Sequence, residues 1–135
     1  MQLDPTCFVA DPELIAGLDK RAKPVLCVTE RVLFEQGDPP VGVYILHKGS
    51  ARLTMVSPDG QQIVSVEVQD GSLLGLPGLL GNQAYTLTAT AAPGAMVSFV
   101  PREQFTALMQ SEPMMALKIL AVLAAEVRSA RRAIG

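Results

Sequence analysis

The chain has 135 residues, 49% of them hydrophobic and 18% charged, and its 11 Lys and Arg against 13 Asp and Glu give a formal net charge of −2. That length suits one domain burying roughly 70% of its unfolded surface, so the fold requires neither a disulfide framework nor a structural metal. The apolar content excludes a disordered chain, and the mild acidity excludes a global field that would draw nucleic acid or an anionic membrane.

The start, Met1-Gln2-Leu3-Asp4-Pro5, has no basic region followed by an apolar stretch, so a cytoplasmic location is expected. Asp11-Pro12-Glu13 reads as an N-cap with proline at the first helical position, and Leu14, Ile15 and Leu18 follow at helical spacing. A short lead-in helix is therefore predicted within residues 1–24.

Over residues 25–100 the pattern changes to short β-branched and alternating runs punctuated by nine of the chain's 11 Gly and five of its 10 Pro. Eight strands are predicted: Val25–Thr29, Arg31–Glu35, Val41–Leu46, Ser50–Val56, Gln62–Val68, Leu73–Leu74, Tyr85–Ala91 and Ala95–Val100. His47-Lys48-Gly49 and Ser57-Pro58-Asp59-Gly60 read as hairpin turns, and the short intervals predict antiparallel neighbours in a closed barrel or roll.

The 3.6-residue period returns over 101–135. Pro101 opens a helix to Gln110, and Ser111-Glu112-Pro113 caps a longer one to about Ala133. On that last helix Ala116, Leu120, Leu123, Val127, Ala130 and Ile134 fall 4, 3, 4, 3 and 4 apart, while Met115, Ile119 and Val122 form a second apolar stripe. The roll covers one stripe, and the other predicts a homodimer. The stretch Pro113 to Val127 is interrupted by Lys118 and Glu126 and falls short of the ~20 residues a membrane span needs, so no membrane contact is expected.

The chemistry-bearing residues are sparse. His47 is the one histidine, which leaves no histidine metal cluster, and it alone would have to serve as base for serines that lack a nucleophile-elbow context. Cys7 and Cys27 lack a C-x-x-C pairing, and the carboxylates form no close pair. No catalytic residue, metal or cofactor is predicted, and no enzymatic activity. The unusual segment is Asp70-Gly71-Ser72-Leu73-Leu74-Gly75-Leu76-Pro77-Gly78-Leu79-Leu80-Gly81-Asn82. Its glycines let backbone N–H groups approach a ligand, and a helical turn starting near Gly75 would point them at an anion.

Leu33-Phe34-Glu35-Gln36-Gly37-Asp38, then Val43-Tyr44-Ile45-Leu46 and Gly49-Ser50-Ala51-Arg52-Leu53, resembles the cyclic nucleotide-binding domain family, found in catabolite-activator-type regulators, kinase regulatory subunits and nucleotide-gated channels. The resemblance covers nearly the whole chain as a single domain. It implies a mainly β fold: an eight-stranded antiparallel β-roll, of the double-stranded β-helix or jelly-roll type, with a short N-terminal helix and a long C-terminal one. It also implies a regulatory, ligand-sensing role and a phosphate-binding cassette over Leu74, Gly75, Leu76, Pro77 and Gly78, completed by Tyr85 and Thr86.

In that family a cassette Glu takes the ribose hydroxyl and an Arg pairs with the cyclic phosphate. Here Leu76 and Tyr85 stand in those places. Loss of a charge-assisted Arg–phosphate contact forfeits about 1.5–3 kcal/mol, and Pro77 removes a backbone donor, so ordinary cyclic AMP or cyclic GMP binding is not expected. The resemblance leaves three roles open: a sensor for another small molecule, a ligand-free interaction module, or the sensor part of a transcriptional regulator lacking its DNA-binding part. Arg128, Arg131 and Arg132 suit the helix C-terminus through its dipole, so no direct nucleic acid binding by this chain is expected.

Overall fold

The structure, a computed structural model, describes residues 2–134. Its strands are β1 (Lys23–Val25), β2 (Arg31–Phe34), β3 (Gly42–Lys48), β4 (Ala51–Val56), β5 (Gln62–Val68), β6 (Ser72–Leu74), β7 (Thr88–Ala91) and β8 (Met96–Pro101). Four antiparallel strands in the order β1-β8-β3-β6 make one sheet, and β2-β7-β4-β5 make the other. This is the expected eight-stranded roll.

The helices are α1 (Pro12–Asp19), α2 (Leu76–Gly81), α3 (Arg102–Ser111) and α4 (Pro113–Ile134), preceded by a 3-10 turn over Pro5–Phe8. Asp11 caps α1 by accepting from the N–H groups of Glu13 (2.8 Å) and Leu14 (3.3 Å), leaving Leu14 and Leu18 fully buried. Lys118 lies 3.1 Å from the other oxygen of Asp11 and ties α1 to α4.

Two apolar clusters fill the molecule. One occupies the roll, with Phe34, Leu46, Leu53, Leu74 and Tyr85 at its centre. The other joins the β1-β8-β3-β6 sheet to the helices through Leu18, Ile45, Leu76, Phe105 and Ile119. The 3-10 turn joins the roll cluster: Cys7 and Phe8 are buried in it, and the Asp4 N–H donates to Ser129 Oγ on α4 at 2.8 Å.

Three local expectations differ from what forms. The first strand was placed over Val25–Thr29, but the ladder to β8 takes Lys23, Pro24 and Val25 against Phe99, Ser98 and Val97. Leu26 and Val28 are left exposed in the following turn, where strand propensity yields to the available partner. Tyr85–Leu87 falls outside β7, because Tyr85 trades backbone bonds with the β2–β3 loop: its N–H donates to Asp38 O (3.0 Å) and its C=O accepts from Gly37 N (2.8 Å). His47 lies inside β3, one residue from its end, rather than in a solvated turn. Its Nε2 lies 3.1 Å from Asp19 Oδ1 and 2.9 Å from Ser98 Oγ, which pins α1 to the sheet. Both contacts share one ring nitrogen, so this trio lacks the base-and-orienter relay across two nitrogens that nucleophile activation requires.

Candidate functional site

The glycine-rich segment folds as β6, a left-handed residue and one short helix. Gly75 has φ +90°, and the chain then turns into α2 with Pro77 in its first turn. The segment faces Tyr85 closely: a Cβ on Gly75 would lie 3.1 Å from Tyr85 Cε1, and one on Gly78 would lie 3.3 Å from Tyr85 Cδ1.

Below this segment is a small cavity of about 30 Å³, bounded by Leu74, Gly75, Pro77, Gly78, Tyr85 and Thr86, by roll residues including Phe34, Leu53 and Leu87, and by Phe8 and Glu126. It has room for about one or two waters. Beside it a groove of about 400 Å³ runs along α4, lined by Leu3, Met55, Val64, Val127 and Ala130. Phe8, Pro77, Thr86, Leu87 and Glu126 line both spaces. The two are therefore adjoining, and a ligand lying in the groove would meet these five residues first.

Of the seven expected pocket residues, Leu74, Gly75, Pro77, Gly78, Tyr85 and Thr86 come together around the cavity, and Leu76 does not. Leu76 is fully buried in the helix-side cluster, because the first turn of α2 aims it beneath the sheet. The Tyr85 hydroxyl is also turned away from any ligand. It accepts from the N–H groups of Val41 (3.1 Å) and Gly42 (3.3 Å) and donates to Gly42 O at 2.8 Å. Its ring packs against Phe34 at 4.2 Å between centroids, which fills space that an open pocket would need. No lysine or arginine lines the cavity or the groove.

Glu126 is the residue that reading the sequence as a polar interruption missed. Met115, Ile119 and Val122 form the buried face of α4, and Glu126 and Ser129 continue it at the same 4, 3, 4, 3 spacing. That spacing was the available signal. Glu126 is 8% exposed, and its Oε1 is buried with no hydrogen-bond partner among the described residues. Burial pushes its carboxyl up to about 8. The neighbouring thiol of Cys7 is pushed up to about 11, chiefly by burial.

The other helix stripe lies outward. Leu120 is 50% and Val127 48% exposed, and Leu117 and Met114 are exposed beside them, while Ala116, Leu123 and Ala130 are half-buried.

The eight-stranded roll, the glycine-rich segment after β6 and the long final helix are those of a regulatory domain of cyclic nucleotide-binding type. The family described as cyclic nucleotide-binding domain matches residues 27–112, and the chain belongs to it. Similarity extends to the Lysophospholipase nte1 of Neurospora crassa, 30% identical over 118 residues that make up 87% of this chain and 8% of that protein. The Transcriptional activator protein anr of Pseudomonas aeruginosa is 24% identical over 131 residues, 93% of this chain and 52% of that one. The chain thus spans a small part to about half of these curated relatives. Among solved structures, the Catabolite Activator Protein of Thermus thermophilus superposes with a TM-score of 0.80 over 97% of this chain and 62% of its own, at 24% identity. No single described helix is long and apolar enough to cross a membrane.

Proposed function

We propose that this domain senses a small molecule other than an ordinary cyclic nucleotide, in the space between the Gly75–Gly81 segment and α4, and passes the signal through α4 to a second copy of the chain. The observation that carries the reading is positional. The cavity and the groove meet at Glu126 on α4, and the same helix carries the outward stripe of Leu120 and Val127. A ligand that moves the cassette segment therefore bears directly on the helix that joins two copies, a population shift between two helix settings. Likeness to a transcriptional activator and to a catabolite activator supports a role in controlling an output domain, in cis or as a partner.

The absence of a cation along both spaces argues against a cyclic phosphate, which would lie buried without a counter-charge. Calorimetric titration with cyclic AMP, cyclic GMP and cyclic di-GMP is the test, with none expected to bind at micromolar concentration. Micromolar binding of cyclic AMP would show that Leu76 and Tyr85 do not disable the cassette.

The small size of the cavity, about 30 Å³, favours a second reading, a roll that keeps only its partner surfaces. A broad metabolite screen by thermal shift separates the two: a shift with any compound supports sensing, and none across the panel supports the ligand-free module.

A further inference from the structure

Oε1 of Glu126 is the one buried side-chain polar atom among the described residues without a partner, and Glu126 stands where an apolar groove meets the cassette cavity. Burying such a group without a hydrogen bond is costly, and the cost vanishes when a donor arrives. Phe8, Leu87 and Pro77 beside it are apolar, the Thr86 and Ser129 hydroxyls make no hydrogen bond to it, and among the described residues no lysine or arginine lines either space. The groove, at about 400 Å³, is within the size range of small-molecule sites. Resting on the ligand-sensing reading above, we infer that Glu126 receives the ammonium or N–H group of a small amine whose apolar body lies in the groove against Leu3, Phe8, Met55 and Leu87.

The site therefore inverts the charge preference that its family name suggests, taking a cation or a neutral donor where a phosphate would be expected. It follows that amine affinity depends on Glu126 ionisation. With the carboxyl held near 8, it is mostly protonated at pH 7 and mostly ionised at pH 9, so binding of a permanently protonated amine tightens by about tenfold between those values. The titratable group facing it from the 3-10 turn is Cys7, whose thiol, raised to about 11, stays protonated throughout. Thr86 and Ser129 offer neutral hydroxyls.

The test is an amide chemical-shift titration of the full chain with n-hexylamine, 1-hexanol and hexanoate at pH 7 and pH 9, on the wild type and on Glu126→Gln. Expected are shifts at Thr86 and Leu87, an amine preference over the alcohol of about tenfold or more at pH 9, tightening of the amine alone with pH, and loss of both effects in Glu126→Gln. Equal binding of amine and alcohol, or a preference that survives Glu126→Gln, overturns the role of Glu126 while the sensing reading stands. Binding of hexanoate in preference to the amine likewise overturns it, since the site would then take anions. If none of the three binds, this inference fails, and the metabolite screen still decides the sensing reading.

Discussion

Tyr85 commits its hydroxyl to the backbone of Val41 and Gly42, three bonds that join the segment after α2 to the start of β3. A Tyr85→Phe variant keeps the ring on Phe34 but leaves those buried groups without a partner, and should lose about 1–3 kcal/mol in urea unfolding. Glu126 acts in the opposite sense. Its folded pKa of about 8 lies above the ordinary value of 4.5, so the folded state holds a proton that the unfolded state has released between those limits. Stability is full below about pH 4.5 and falls as pH rises through about 8, by up to ~1.4 kcal/mol per pH unit. Urea midpoints measured from pH 5 to 9 should decline in the wild type relative to Glu126→Gln. A constant difference between the two proteins would show the carboxyl to be solvated.

At the scale of elements, the helices were legible because caps and spacing act locally. Asp11-Pro12 and Glu112-Pro113 set the starts of α1 and α4 within a residue or so. Strand edges were less so, since β1 begins where β8 offers a ladder and Tyr85 is diverted to Gly37 and Asp38, neither of which is local information. The cassette segment was legible as a glycine-rich approach, but the inward turn of Leu76 depends on how α2 docks and could not be read from spacing. Gly75 fixes that docking. A Gly75→Ala change meets both φ +90° and the Tyr85 ring at 3.1 Å, and should lower stability by about 1–3 kcal/mol. Gly81→Ala, with ordinary φ and its nearest neighbour Gln83 Cγ at 3.7 Å, is the control and should be neutral or slightly stabilising. Thermal melts of the two variants make the comparison.

For the whole molecule, the two sheets and two clusters leave α4 with one face in the protein and one outside. The reading of two apolar stripes identified both faces, but the buried one turns polar at Glu126 and Ser129, where it passes from the helix-side cluster to the groove. Dimerisation through the outer face is our reading. Sedimentation of a Leu120→Lys, Val127→Lys variant should give a monomer where the wild type gives a dimer. Both side chains are about half exposed, so the variant should still melt cooperatively. A monomeric wild type would remove the argument for signalling through paired helices.

The hydrogen bond from Asp4 to Ser129 joins residues 125 positions apart, and Cys7 is buried just inside that joint. While the joint holds, the thiol is both covered and protonated, and it reacts slowly with alkylating reagents. Each time the N-terminal turn lets go of α4, the sulfur is bared. The rate of Cys7 alkylation therefore reports how readily the two ends of the chain part, read from a native side chain and independent of whether a ligand is ever found.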